Sequence, residues 1–399
     1  MRISTSMIYE SGTAGMLDQQ SALYKTQQQM SSNRRILTAA DDPAGASAAL
    51  RVSQGLALTA QQQANQQAAT STLQQSESTL GSVGDLLQSA TTLLMSTQNA
   101  TFGAGERNAV ATQLEGMLHQ LIGLANSRDG AGGYLFAGYS ETAQPFAAGA
   151  GGVAYSGDDG VRQLDVAAGR QLAVSVSGSD AFMRIKTGNG VFTSTANGAN
   201  TGTGIIDSGS VANPAALDGH AYRLAFTVSA GVTTYDVLDV TAGSTVSTGN
   251  AFTSGNAITV AGMQLNVTGA PANGDRFDAR PSANQSVFQS LADGIAALRS
   301  TASTGTRYSQ VNTAVANLYQ AQDAIGLARS SLGSNLSELA VLGSAASAAN
   351  VSQQTRLSGI VDLDYTAAAT QLASQQVSLQ AAQQTFSKVS QLSLFNFLA

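Results

Sequence analysis

Adjacent carboxylates are the first groups in this chain that could act as acid, base or metal ligand, and Asp41-Asp42-Pro43 is the first such pair. Its setting favours structure over catalysis. Asp42 precedes a proline and a long helical pattern, so its side chain is expected to cap that helix, with Pro43 at the first helical position, where its missing N–H does no harm. Asp158-Asp159-Gly160 follows Tyr155 in a glycine-rich stretch. A calcium loop would continue with oxygen ligands at alternate positions, and Val161 and Gln163 do not supply them, so a hairpin turn is expected. His119 and His220 are the only histidines, and neither has a partner at ligand spacing. The sequence holds no G-x-S-x-G, H-E-x-x-H or G-x-x-x-x-G-K-[ST] pattern. With zero cysteines, thiolate chemistry and disulfides are excluded as well. The expectation is a protein with no catalytic residues, no cofactor and no metal site, which is not an enzyme.

Composition points the same way. Charged residues make up only 11% of 399 residues, and the net charge of −6 leaves no basic stripe for nucleic acid. No run of about 18 apolar residues marks a membrane span. The first ten residues carry neither an apolar h-region nor a small-residue cleavage site, so export, where it occurs, is expected without a cleaved signal.

The elements that must position these residues fall into a symmetric order. Met16, Leu23, Met30 and Leu37 recur every seven residues, as do Leu73, Leu80, Leu87 and Leu94, with Val83 and Ala90 beside them. Val110, Leu114, Met117, Leu121 and Leu124 form an amphipathic stripe, so three helices are expected in the N-terminal third. The C-terminal third repeats the pattern with Val311, Leu318, Ile325, Leu332 and Leu339, and with small Ala314, Ala321 and Ala328. A last stripe runs through Leu372, Leu379, Ala382, Phe386 and Val389 and ends in apolar Leu392 and Leu394. Between about residues 134 and 280 the pattern becomes β, as in Tyr222–Val228, with turns at Gly188-Asn189-Gly190 and Asn273-Gly274-Asp275. Residues 191–204 read as a flexible stretch.

The fold class is therefore α+β: a long antiparallel coiled-coil bundle made by both termini, interrupted by an antiparallel β region. Four parts are expected. Residues 1–40 with 362–399 are terminal helices ordered on assembly; 41–133 with 284–361 form a helical bundle; 134–185 are β hairpins packed on it; and 186–283 are an inserted β domain. The terminal seams are thin and Gln-rich, which leaves them short of apolar surface. Met16, Leu23, Met30, Leu37, Leu372, Leu379, Phe386, Val389, Leu392 and Leu394 are accordingly expected to form the assembly interface.

Arg2-Ile3-Ser4-Thr5-Ser6, Gln27 to Ile36 and Asp41-Asp42-Pro43-Ala44 resemble the start of the bacterial flagellin superfamily, and Gln383 to Phe395 resembles its end. Tyr134-Leu135-Phe136-Ala137-Gly138, Pro145-Phe146 and Tyr155 to Gly160 are similar to its junction members rather than to its filament subunits. One departure is Asn33, where the superfamily often has Gly; Asn also tolerates the left-handed conformation. The resemblance implies a secreted structural adaptor at the hook–filament junction. It implies self-assembly into a ring within the helical flagellar lattice, with hook-associated protein 1 on the hook side and flagellin on the filament side. It also implies an export chaperone on the C-terminal helix before type III secretion, with no nucleic acid and no membrane insertion. Flagellin itself is the alternative. A β-rich adhesin would need Tyr222, Phe226 and Tyr235 to converge on a pocket in residues 186–283.

Overall fold

Long heptad seams fold as long helices because each apolar row needs a facing row. The computed structural model describes residues 5–99, 102–130, 132–149 and 151–395, with backbone alone for residues 5, 6, 8 and 390–395. Six α-helices run in chain order through the described residues: α1 (Thr5–Ser32), α2 (Pro43–Ser96), α3 (Ala104–Ala125), α4 (Val287–Arg299), α5 (Thr304–Val361) and α6 (Tyr365–Phe395). The chain divides into two units, Met1–Ala64 with Leu342–Ala399, and Asn65–Val341. Both boundaries fall inside the continuous helices α2 and α5. They do not fall at the helix breaks near residues 40 and 362, where the sequence pattern places them.

The central unit owes its core to the heptads. Leu73, Leu80, Leu87 and Leu94 of α2 are fully buried, as are Leu114 and Leu121 of α3, while Val311, Leu318, Ile325 and Leu332 of α5 are nearly so. Gly294 of α4 lets Leu94 approach within about a methyl group's width: a Cβ there would lie 3.0 Å from Leu94 Cδ1. Phe136, Phe146, Phe182 and Phe288 pack edge-on or tilted at centroid distances of 5.2 to 5.3 Å, joining the hairpin segment to α4. Gly138 has φ +73°, and a Cβ there would strike the Asp158 carbonyl. The residue type in that motif is thus set by a close backbone approach.

Two short hairpins, β1 (Phe146–Gly149) with β2 (Gly152–Tyr155) and β3 (Gln163–Ala167) with β4 (Arg170–Ala173), follow α3. Arg170 of β4 makes a bidentate pair with Glu338 of α5. β5 (Ile185–Lys186) then pairs antiparallel with β15 (Asn284–Gln285), and these two strands are the neck of the insertion. Beyond the neck, β6 (Phe192–Ala196), β9 (Tyr222–Ser229), β10 (Val232–Asp239), β11 (Ser244–Ala251) and β14 (Arg276–Pro281) form an antiparallel sheet in the order β11-β10-β9-β14-β6. β7 (Ile205–Ile206), β8 (Ser210–Val211), β12 (Ala257–Val260) and β13 (Met263–Thr268) form a second one. Their facing apolar residues, among them Phe192, Leu224, Phe226, Leu265, Val267 and Phe277, close a separate core.

One expectation is corrected here, and the adhesin alternative loses its premise. Residues 191–204 are not a flexible stretch: Phe192–Ala196 is a paired strand, and Asp275 accepts from Thr201 N and Gly202 N to hold the loop that follows. Tyr222, Phe226 and Tyr235 do not line a binding pocket. Tyr222 and Phe226 are buried in the sandwich core, and Tyr235 packs on the Phe226 ring at 5.9 Å.

Candidate assembly surface

The terminal unit is built by two helices with matched heptad seams. On α1, Tyr9, Gly12, Met16, Gln19, Leu23, Thr26 and Met30 lie on one side and are half-buried or, for Thr26, buried. On α6 the corresponding row is Ala368, Leu372, Gln375, Leu379, Ala382 and Phe386. The two helices run antiparallel. Tyr9 meets the Phe386 ring edge-on at 5.4 Å, and at the other end Arg34 and Asp362 form an antiparallel bridge. The seams expected to lack a partner within the chain therefore face each other. Gly12 allows this, because a Cβ at that position would come within 2.9 Å of Phe386 Cδ2.

The turn after α1 is held by its own chemistry. Asn33 adopts φ +54°, and the Asn33 and Arg34 N–H groups donate to Met30 O and Gln29 O, which closes the helix in a Schellman arrangement. Arg35 N donates to Val361 O at 2.7 Å and Arg35 Nη2 to Ile360 O, while Leu363 N donates to Asn33 O. A clasp thus joins the end of α1 to the α5–α6 corner. Asp41 accepts from Leu37 N and Thr38 N and pairs with Lys25 Nζ at 2.7 Å. The Lys25 ammonium above all, followed by the Thr38 amide, holds its carboxyl down at about 2. Asp42 Oδ1 accepts from Gly45 N at 2.8 Å at the start of α2, and that bond, aided by Arg35, keeps its carboxyl below the usual range.

The largely polar outer faces of the terminal unit carry several exposed apolar side chains. Leu17 and Tyr24 on α1 are 65% and 62% exposed, and Val377 on α6 is 67% exposed. Leu50, Leu58 and Val351 are exposed as well. Among the described residues of this unit, the buried hydrophobic side chains are Ile36, Val361 and Ala368. Of the residues marked in the sequence, Met16, Leu23, Met30, Leu372, Leu379 and Phe386 lie on the shared seam and Leu37 in the clasp. Val389 corrects the expectation that it lies on the buried stripe, for it stands 41% exposed. The side chains of Leu392 and Leu394 lie outside the described residues. Sequence reasoning missed Leu17, Tyr24 and Val377, which fall off the heptad.

The groups with catalytic potential are accounted for locally. Asp158 accepts from Tyr139 N, Gly160 N and Ser140 Oγ, which makes it the pin of a turn. His119 Nδ1 contacts the carbonyl of Glu115 on its own helix, and His220 Nδ1 pairs with Asp239 Oδ2 at 2.7 Å. That carboxylate raises the imidazole above its ordinary value. No group of three or more His, Asp or Glu able to hold a metal occurs among the described residues, and no helix of the described residues is long and apolar enough to cross a membrane.

The signature of the bacterial flagellin N-terminal helical region matches residues 3–141. The crystal structure of Xanthomonas campestris FlgL superposes with a TM-score of 0.70 at 32% identity, covering 77% of this chain and 99% of that one. The chain belongs to the hook-associated protein 3 (FlgL) family. Hook-associated protein-3 from Legionella pneumophila superposes with a TM-score of 0.73 at 28% identity, over 77% of this chain and 98% of that one. Flagellar hook-associated protein 3 of Salmonella typhimurium is 37% identical over 191 residues, which are 48% of this chain and 59% of that protein. The aligned stretch thus spans little more than half the length of this curated relative. The family consists of structural components of the bacterial flagellum, and the α+β architecture with helical termini is the one its solved members share.

Proposed function

We propose that this chain is a structural adaptor of the flagellum that joins the hook-associated ring to the flagellin filament, and that it assembles through α1 and α6. The observation that carries this reading is the imbalance of the terminal unit. It has matched seams and a closed clasp but almost no core, and it leaves Leu17, Tyr24 and Val377 in water. Burying such side chains contributes about 1.5 to 3 kcal/mol each, so neighbouring copies that cover them gain what one chain leaves unused. Repetition around a ring multiplies that gain. In this reading the subunit meets hook-associated protein 1 on one side and flagellin on the other, a heterologous arrangement in which opposite faces differ. Secretion and an export chaperone on the apolar end of α6 belong to the same proposal, because a helix groove would keep that end out of water.

The reading assigns no catalysis. Electron microscopy of a strain lacking the protein is the test: hooks without filaments, with flagellin released into the medium, are expected. A filament subunit would instead be the dominant mass of sheared flagella, so recovery of this chain as the major sheared protein would replace the adaptor reading by the flagellin one.

A further inference from the structure

In an asparagine–glycine pair the glycine nitrogen can reach the preceding side chain, because glycine puts no Cβ in the way. The chain holds three such pairs, Asn189-Gly190, Asn197-Gly198 and Asn273-Gly274, all in the β insertion. The chemistry is the same at each. The glycine nitrogen, having lost its proton to water, attacks the asparagine Cγ; the bond to Nδ2 breaks and ammonia leaves; water then opens the cyclic imide to aspartate or isoaspartate. The pairs differ in whether that nitrogen is free. Gly190 N donates to Thr187 O at 3.2 Å, and Gly274 N donates to Phe226 O at 2.9 Å. Each bond must break before the nitrogen reacts, so both pairs react only through local opening. Asn189 is held further, since its Nδ2 donates to Gly209 O at 3.2 Å. By contrast, the Gly198 N–H has no acceptor among the described residues. Asn197 Oδ1 accepts from Ala199 N at 2.9 Å, a local turn that polarises the carbonyl under attack. Asn189 Oδ1 is polarised in the same way by Val191 N and Phe192 N, so the free nitrogen is what decides. Asn197 and Gly198 are exposed, and a Cβ at Gly198 would meet nothing within 4 Å, so water and ammonia have open access.

We propose that Asn197 is a site of spontaneous deamidation in the folded protein, and that the fold protects Asn189 and Asn273. The product adds a negative charge, and isoaspartate also lengthens the backbone path. Both changes fall in the loop that ties β6 to β14, where Asn197 N donates to Arg276 O at 3.0 Å and Asn200 Nδ2 to the same oxygen at 2.8 Å. That loop reaches α5 through Thr306 Oγ1, which donates to Asn200 O. Deamidation therefore accumulates with age beside the contact between the insertion and α5.

The test incubates the full-length protein in mildly alkaline buffer, native and in urea, and then locates each converted asparagine by digestion and tandem mass spectrometry. In the native protein Asn197 is expected to convert at least about tenfold faster than Asn189 or Asn273, which must first open. In urea the three rates are expected to converge, which assigns the difference to the fold. Gly198→Ala supplies the second measurement. The backbone at Gly198 lies outside the left-handed region and the space beside it is open, so alanine is expected to leave the melting midpoint unchanged. Its Cβ crowds the attacking nitrogen, so conversion at Asn197 is expected to slow severalfold. Asn197 keeping its amide in the native protein while it converts in urea overturns the site, as do equal native rates at all three asparagines or conversion of Gly198→Ala at the wild-type rate.

Discussion

Phe386 is the aromatic anchor of the seam in the terminal unit. Its half-buried ring packs against Tyr9 and Gly12 between α1 and α6, so a carboxylate there is partly withdrawn from water and set against an aromatic edge. Phe386→Asp is expected to cost the helix pair about 1.5 to 3 kcal/mol and to abolish filament attachment while the central unit keeps its fold. Gln383→Ala, at an exposed position on the same helix, is expected to be silent. Circular dichroism of the purified protein and a filament count on the cells together check this, and normal filaments on Phe386→Asp cells would remove α6 from the assembly. Asp41 gives a second expectation. Its carboxyl is held at about 2 in the folded chain against an ordinary 3.8, so its contribution is present above the ordinary value and is lost as pH falls through the folded one. The clasp between residues 33 and 42 is expected to loosen between about pH 4 and 2, read as faster cleavage at Leu37 by an acid protease, and Asp41→Asn is expected to cleave as readily at pH 5 as the wild type does near pH 2.

At the scale of elements, the helices were legible because their signal is local and periodic: each row of Leu at seven-residue spacing is a helix with that row inside. Other features were not. The β9–β10 and β12–β13 hairpins turn on Ala230-Gly231 and Ala261-Gly262, with φ positive at both residues of each, and alanine gives no warning of that conformation. Phe192–Ala196 was read as flexible because its small polar residues carry no alternation, while the strand that orders it, β14, lies far along the chain. The clasp bonds of Arg34 and Arg35 are equally non-local. Where the insertion meets α5, the bonds come from polar residues: Thr306 to Asn200 O, Ser309 with Ile206 N and Thr313 to Ser194 O. Water can satisfy these groups if the insertion is removed. The neck is closed, with Thr187 N donating to Ala283 O at 3.0 Å. Replacement of residues 190–280 by a short turn is therefore expected to leave a folded chain, with retained helical dichroism and motility. Aggregation of that variant would show that the insertion covers apolar surface on α5.

For the whole molecule the account separates two tasks that the sequence pattern merged. Folding uses the inward rows, on which α1 and α6 satisfy each other. In the proposed function, assembly would use the outward faces, which fold stability does not need and which the heptad therefore does not reveal. The measurement that bears most directly on this is a filament count on cells whose only copy is the double variant Leu17→Asp with Tyr24→Asp, paired with dichroism and melting of the purified protein. The account predicts a monomer with wild-type helix content and melting midpoint, and cells that bear hooks but shed flagellin into the medium. Full-length filaments at wild-type number on those cells would contradict it.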